Sequence, residues 1–176
     1  MVNIKSFLRD YATKQSLFKN KKALQSSYTP PTVPYREEQI NQIAGILAPS
    51  LRMERPSNVF IYGKTGTGKT LVVHHVLNQI AEVAKEKKLN LKIVSLNCKL
   101  KRVADTEYRL IAQISRELGH EIPPTGLPTD EVYKIFVKIV EKEKTLLILI
   151  LDEIDELVKN KGDKVLYNLT RLNTEL

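Results

Sequence analysis

The sequence contains few of the residues that build disulfide frameworks or membrane spans. Its 176 residues include one cysteine, Cys98, and no tryptophan. A lone cysteine excludes an internal disulfide framework and is typical of a reducing compartment. We find no secretory signal, and the apolar stretch at 145–151 is too short to cross a bilayer, which takes about 20 residues. The composition therefore predicts a cytoplasmic protein without a membrane partner.

Acidic residues are fewer than basic ones, and the imbalance is uneven along the chain. There are 20 acidic and 28 basic residues, which gives a net charge of +8. More than half of that excess falls within residues 1–34, where Asp10 is the one acid against these bases: Lys5, Arg9, Lys14, Lys19, Lys21 and Lys22. A basic arm favours an acidic partner such as nucleic acid, although a solvated leader has the same composition.

The sequence does contain one glycine-rich octapeptide with the pattern G-x-x-x-x-G-K-[ST]. It consists of Gly63, Lys64, Thr65, Gly66, Thr67, Gly68, Lys69 and Thr70. Small residues let successive backbone N–H groups point at one anion, and the N-terminus of a following helix favours the same charge. Lys69 can reach the outer phosphates and stabilise the charge that develops on them, and the Thr70 hydroxyl can hold Mg²⁺. The loop therefore predicts binding of a nucleoside triphosphate.

The residues on either side of this loop bear on the alternative, a glycine turn with no ligand. Ser57–Tyr62 lies between Pro56 and the loop, and its composition predicts a short buried strand. After the loop, apolar residues recur at helical spacing: Val73, Val76, Leu77, Ile80 and Ala84. A strand, a glycine loop and a helix in this order favour the phosphate site.

A second candidate half of the site follows an apolar run. Residues 145–151 predict a central parallel strand buried on both faces, and the run ends in Asp152 and Glu153. Ligands bind at the carboxyl ends of such strands. Asp152 would hold Mg²⁺ through water, and Glu153 would orient or deprotonate the water that attacks the γ-phosphate. The alternative is that the two acids begin a helix, a role that suits Asp155 and Glu156 better.

The remaining periodic segments predict alternating strands and helices. Helices are predicted near 4–11, 36–48 and 106–118, after a cap at Thr129 and after a cap at Asp163, and another strand is predicted at 91–96. This order indicates an α/β fold with a parallel sheet, right-handed crossovers and flanking helices. The prolines within 29–34 favour an extended linker, so we expect a basic arm and linker at 1–34 and a nucleotide-binding domain at 35–176.

Four segments together resemble the archaeal Orc1/Cdc6 replication initiators, which are ATPases of the AAA+ class. Gly63–Thr70 is similar to their Walker A loop, and Leu149–Asp155 is similar to their Walker B segment. Because many ATPases share these two elements, the segments Val33–Ile40 and Leu166–Asn173 are the ones that narrow the resemblance. The resemblance extends along the whole chain and implies a P-loop NTPase fold of the AAA+ type.

The resemblance also implies a function. Members of this family bind ATP or ADP with Mg²⁺, use slow ATP hydrolysis as a switch, recognise double-stranded origin DNA and help to load the replicative helicase. By this resemblance the protein would be associated with the nucleoid and could form oligomers on DNA. Val33, Pro34 and Arg36 would border the adenine, and the basic turn after Cys98 would lie near an insertion that touches DNA.

Family members are more than twice as long, so we expect this chain to be a fragment or a truncated copy that is incomplete at its C-terminus. The lid, the winged-helix domain and the arginine finger would then be missing. The resemblance also places a further strand between the one before the Walker A loop and the one that ends in Asp152. Without that strand the sheet would lack its middle, and each unpaired buried backbone group costs about 1–3 kcal/mol.

Two other functions fit the same residues. One is a nucleotide-binding scaffold without meaningful turnover. The other is a different P-loop ATPase, of the AAA+ or signal-transduction type, that acts on a protein partner. Salt-dependent binding to DNA would favour the initiator over the second of these, because contacts to phosphates release counterions.

Overall fold

A computed structural model describes residues 4–13, 18, 20–21, 30, 32–99, 106–123 and 125–175, without the side chains of residues 161 and 172–175. The chain divides into two compact units, Met1–Thr32 and Val33–Leu176. In the first unit the helix predicted near 4–11 is present as α1, Ile4–Thr13. Its apolar side chains, among them Phe7 and Tyr11, are exposed.

The second unit contains six further α-helices and two strands among its described residues. They are α2 (Glu37–Leu47), a 3-10 helix (Ala48–Arg52), α3 (Lys69–Glu86), β1 (Leu91–Asn97), α4 (Glu107–Glu117), α5 (Thr129–Glu143), β2 (Leu146–Asp152), α6 (Ile154–Lys161) and α7 (Lys164–Glu175). The helices predicted from periodicity are confirmed, as are the strands that became β1 and β2. Helix α6 was not predicted as a separate element. Thr129 is the first residue of α5 rather than its cap, which is Pro128.

The two strands are parallel neighbours. Leu91 is opposite Leu146 at one end of the ladder, and Asn97 is opposite Asp152 at the other. The N–H of Cys98 continues the pairing by donating to the Asp152 carbonyl at 2.9 Å. Because parallel strands end at the same edge, this register brings Asp152 and Glu153, at the end of β2, beside the residues that follow β1.

Helices cover both faces of this sheet, and side chains on the strands alternate between two apolar clusters. Val94 and Leu96 of β1 pack with the buried faces of α4, α5, α6 and α7. Ile148 of β2 packs on the other face with Ile43 of α2 and the buried side of α3. The predicted α/β architecture of the AAA+ type, with a parallel sheet and flanking helices, is therefore present.

The strand predicted at Ser57–Tyr62 is wrong. Residues 54–64 form no ladder, and Phe60 and Tyr62 are 74% and 83% exposed. A strand needs a neighbour, and in the described part of the chain the neighbour of β2 is β1. A cavity of about 890 Å³ is lined by residues of this segment and of β2, including Val59, Phe60, Leu147, Leu149 and Leu151, together with residues of α5 and α7.

The burial of β2 requires a second correction. The run at 145–151 was predicted to be buried on both faces, but Ile148 is the one fully buried residue of β2, and its other residues are partly buried. Among the described residues, no strand pairs with the second edge of β2. Leu147, Leu149 and Leu151 line the cavity, which accounts for their partial exposure.

Candidate functional site

The glycine loop runs directly into helix α3, whose first residue is Lys69. Gly66 and Gly68 have φ values of +80° and +83°. An L-residue with a side chain is strained in this left-handed region, whereas glycine is not. A Cβ at either position would meet no atom within 4 Å, so conformation rather than space requires these glycines. The backbone can therefore curl at the start of the helix, as a phosphate-binding loop must.

Side chains of the loop donate three hydrogen bonds to backbone carbonyls of the same loop. The Lys69 ammonium donates to the carbonyls of Gly63 and Lys64 at 2.9 and 3.0 Å. The Thr67 hydroxyl donates to the Lys64 carbonyl at 2.8 Å. In a planar trans peptide the C=O and the next N–H point in opposite directions. Fixing these carbonyls on one side therefore directs the N–H groups of Lys64 and Thr65 to the other.

Arg36, the residue before α2, donates a hydrogen bond to the loop from outside it. The Arg36 guanidinium donates through Nη2 to the Thr67 carbonyl at 2.9 Å. Val33 packs against the cluster formed by α2, α3 and β2. Pro34 is exposed, and Tyr35 between it and Arg36 has a φ of +62°. The predicted adenine-bordering segment is thus joined to the phosphate loop through Arg36, a contact that the sequence did not indicate.

The predicted metal ligands lie together although they are distant in the sequence. The Thr70 hydroxyl donates to Oδ2 of Asp152 at 3.1 Å. The other carboxylate oxygen, Oδ1, accepts the backbone N–H of Glu153 at 3.0 Å. The N-terminus of α3 and the carboxyl end of β2 therefore place a hydroxyl and a carboxylate side by side.

This oxygen pair suits a hard cation that keeps most of its own ligands. Across the described residues no cluster of three or more His, Cys, Asp or Glu side chains could hold a metal by itself. Mg²⁺ binds through one or two protein oxygens and takes its remaining ligands from water and substrate phosphates. Thr70 and Asp152 fit that mode of binding.

Glu153 occupies the turn between β2 and α6 with a strained backbone. Its φ is +52°, a value at which a residue with a side chain costs about 1–3 kcal/mol. Its side chain is 40% exposed, and the Lys99 ammonium lies 3.8 Å from its Oε1. Sequence reasoning did not pair these two residues, but the parallel register of β1 and β2 accounts for the pair because both follow strand ends at one edge.

Cys98 follows β1 and packs in the apolar core between the sheet and α4 to α7. The side chain is buried, and burial, with Asp152 and Asp155 as smaller contributors, raises its pKa to about 11. The thiol therefore stays protonated at neutral pH. The prediction that Cys98 is a small packing residue rather than a nucleophile agrees with this position.

Comparison with known families matches residues 32–175 to the AAA ATPase domain. The ORC1-type DNA replication protein 1 of Archaeoglobus fulgidus is 50% identical over 92% of this chain and 38% of its own length. The ORC1-type DNA replication protein of Thermococcus onnurineus is 43% identical over 97% of this chain and 41% of its own.

Solved structures agree with the sequence relatives. The Aeropyrum pernix ORC1 protein, solved in complex with DNA, matches with a TM-score of 0.81 and 38% identity over 90% of this chain and 41% of that one. The Aeropyrum pernix ORC2 protein, solved as ADPNP and ADP complexes, matches with a TM-score of 0.75 and 25% identity over 92% and 42%.

The chain belongs to the AAA ATPase domain family. Within that class its relatives are the archaeal ORC1-type DNA replication proteins, and the resemblance to Orc1/Cdc6 initiators is confirmed. The chain spans about two fifths of the length of the relatives it matches, 38% and 41% in the two proteins above. In the described part of the chain, no helix is both long and apolar enough to cross a membrane.

Proposed function

We propose that this chain is the nucleotide-responsive part of an Orc1/Cdc6-type initiator, which binds ATP or ADP at Gly63–Thr70. The loop carbonyls that Lys69, Thr67 and Arg36 hold support this proposal most directly. With those carbonyls fixed, the loop N–H groups can converge on an anion at the positive end of α3. Lys69 adds a full positive charge for the outer phosphates.

Thr70 and Asp152 would hold the Mg²⁺ that accompanies the nucleotide. Their 3.1 Å contact supports this role because it places two oxygen ligands at one point beside the loop. Mg²⁺ bound there would neutralise negative charge on the β- and γ-phosphates. Val33, Pro34 and Arg36 would border the adenine at the other end of the nucleotide.

Glu153 would act on the water that attacks the γ-phosphate. The water oxygen forms a bond to phosphorus, the bond from phosphorus to the bridging oxygen of the diphosphate breaks, and the water proton passes to the Glu153 carboxylate. The position of Glu153 directly after Asp152, at the end of β2, supports this role. Hydrolysis would be slow and would switch the protein between its ATP and ADP states.

The longer initiator would recognise double-stranded origin DNA, load the replicative helicase and assemble on DNA in the cytoplasm, associated with the nucleoid. The relative solved with DNA supports the DNA-binding part of this proposal. The basic residues of the arm, together with the exposed Lys99 after β1, carry charge that matches DNA phosphates. The helicase contact rests on the family resemblance.

Calorimetric titration with ATP and ADP tests the proposal. We expect binding by the wild type and a loss of roughly 10- to 100-fold for Lys69→Met, because the substitution removes a charged donor from the phosphates. Lys134→Met, on the exposed side of α5, is the matched control and should bind like the wild type. Equal affinity of wild type and Lys69→Met would contradict the proposed site.

A further inference from the structure

We propose that Arg36 is a positioning residue for the phosphate loop, which turns the Gly68 N–H toward the bound anion by holding the Thr67 carbonyl. The inference deepens the proposed function and rests on nucleotide binding at Gly63–Thr70. It assigns to Arg36 an effect on phosphate affinity that is separate from contact with the adenine. The observation behind it is the 2.9 Å bond from Arg36 Nη2 to the Thr67 oxygen.

The peptide between Thr67 and Gly68 can flip, so a hydrogen bond from outside the loop is needed to fix its orientation. Its C=O and N–H point in opposite directions, so turning the plane over exchanges a donor for an acceptor on the side that faces the anion. Glycine accepts either sign of φ, and Gly68 has no side chain that would resist the flip. Its φ of +83° is therefore one of two accessible conformations, and the Arg36 bond selects it.

The carbonyls of Gly63 and Lys64 accept hydrogen bonds from side chains within the loop, those of Lys69 and Thr67. Arg36 differs because it belongs to another element. It precedes α2, whose Ile43 is buried with Val72 and Val76 of α3. The packing of α2 on α3 thus fixes the distance from Arg36 to the loop, and the guanidinium holds the peptide from a rigid support.

The turn that aims Arg36 carries strain of its own. Tyr35 has a φ of +62° and is 93% exposed, so no burial of its ring compensates for the left-handed backbone. Strain of this kind persists where the surroundings fix the conformation. Here the start of α2 on one side and the Arg36–Thr67 hydrogen bond on the other fix the conformation of Tyr35.

Inorganic tripolyphosphate separates a phosphate role from an adenine role, because it has no base. Affinities for ADP and for tripolyphosphate are to be measured on this chain for wild type, Arg36→Met and Arg36→Lys. Arg116→Met is the matched control, since Arg116 donates to Gln113 on the exposed side of α4. We expect Arg36→Met to weaken both ligands by the same factor, roughly tenfold or more, because a charged donor is lost. Arg36→Lys should recover part of this affinity, because an ammonium can still donate to one carbonyl.

The two proposals fail in different ways. A loss of ADP affinity with unchanged tripolyphosphate affinity in Arg36→Met assigns Arg36 to the base and overturns the inference, as does wild-type affinity for both ligands. If wild-type protein binds neither ligand, the proposed function itself fails. The Gly68 amide resonance of the wild type gives a measurement that needs no variant. It should shift on addition of tripolyphosphate, and a Gly68 signal that stays in place overturns the inference.

Discussion

At the scale of single residues, the candidate site is organised by side chains that occupy backbone and carboxylate oxygens. Lys69 and Arg36 hold carbonyls of the loop, and Thr70 contacts one oxygen of Asp152. Each contact is a hydrogen bond that is partly open to solvent, and a triphosphate would meet all of them at one end of α3. Contacts from Lys69 within the loop and from Arg36 outside it therefore shape the loop backbone.

Replacement of Glu153 by Gln tests the assignment of the hydrolytic base. Glutamine keeps the size of the side chain but cannot accept the proton, so we expect ATP binding to be retained and phosphate release to fall by roughly 10²- to 10⁴-fold. Phosphate release is to be measured with and without DNA. Glu121→Gln, on an exposed residue after α4, should behave as the wild type. Equal turnover in Glu153→Gln and wild type removes Glu153 from this role, and binding without turnover in the wild type favours the scaffold.

The positions of site residues that belong to a motif could be predicted from the sequence. The contact made by Arg36, which depends on the turn at Tyr35, could not. Lys69, Thr70 and Asp152 lie where the loop pattern and the strand end predicted them. The bond from Arg36 to Thr67 joins residues 31 positions apart and depends on the positive φ of Tyr35. A backbone angle of this kind leaves no periodic signal, so the contact became visible only in the structure.

At the scale of elements, a charged cluster joins β1 to the helices at the end of the sheet opposite the nucleotide loop. Glu143 at the end of α5 accepts the Lys92 ammonium of β1 at 2.9 Å and lies 2.8 Å from Nε2 of His120 after α4. The Lys92 ammonium also donates to the Leu118 carbonyl at 3.2 Å. Hydrogen bonds from His120 and then Lys92 lower the pKa of Glu143 from 4.5 to about 2.

This lowered pKa predicts an acid-sensitive part of the stability. A carboxylate with a depressed pKa in the folded state stabilises the fold above its unfolded pKa near 4.5, and the contribution is lost as the pH falls from there toward 2. Urea unfolding at several pH values between 2 and 7 should therefore show a smaller pH dependence for Glu143→Gln than for the wild type. Glu141→Gln, an exposed neighbour on α5, is the control. The same pH dependence in wild type and Glu143→Gln would contradict the role of the cluster.

Elements that depend on local residue spacing could be predicted from the sequence. Whether Ser57–Tyr62 pairs with a neighbouring strand could not. Helices α3 to α5 follow from apolar residues at helical spacing, and β2 follows from its continuous apolar run. A strand depends in addition on a neighbouring strand, which is often distant in the sequence. The composition of Val59 and Phe60 is typical of a strand, but in the described part of the chain the sheet contains β1 and β2 alone.

At the scale of the whole molecule, the uneven charge predicts salt-dependent binding to duplex DNA. Each contact between a basic residue and a phosphate contributes about −0.9 to the slope of log K against log salt concentration. Changing Lys5, Arg9 and Lys21 to Gln should therefore weaken binding and make the slope shallower. Fluorescence anisotropy with a labelled duplex at several salt concentrations measures both quantities.

The control for this experiment removes the same charge from another surface. Lys85, Lys87 and Lys88 lie at the C-terminal end of α3 and are exposed, and their triple change to Gln should leave the slope near that of the wild type. Equal slopes for the arm variant and the wild type would show that the arm does not contact phosphates. Binding that is independent of salt would favour a protein partner over DNA.

The central claim is that Gly63–Thr70, together with Asp152, binds a nucleotide with its metal. Titration calorimetry with ATP, in Mg²⁺ and in EDTA, tests it most directly on wild type and Asp152→Asn. We expect the wild type to bind ATP more tightly with Mg²⁺ than without, and Asp152→Asn to lose most of this difference while keeping its affinity in EDTA. A wild type that binds no ATP in either buffer, or a Mg²⁺ dependence unchanged in Asp152→Asn, would contradict it.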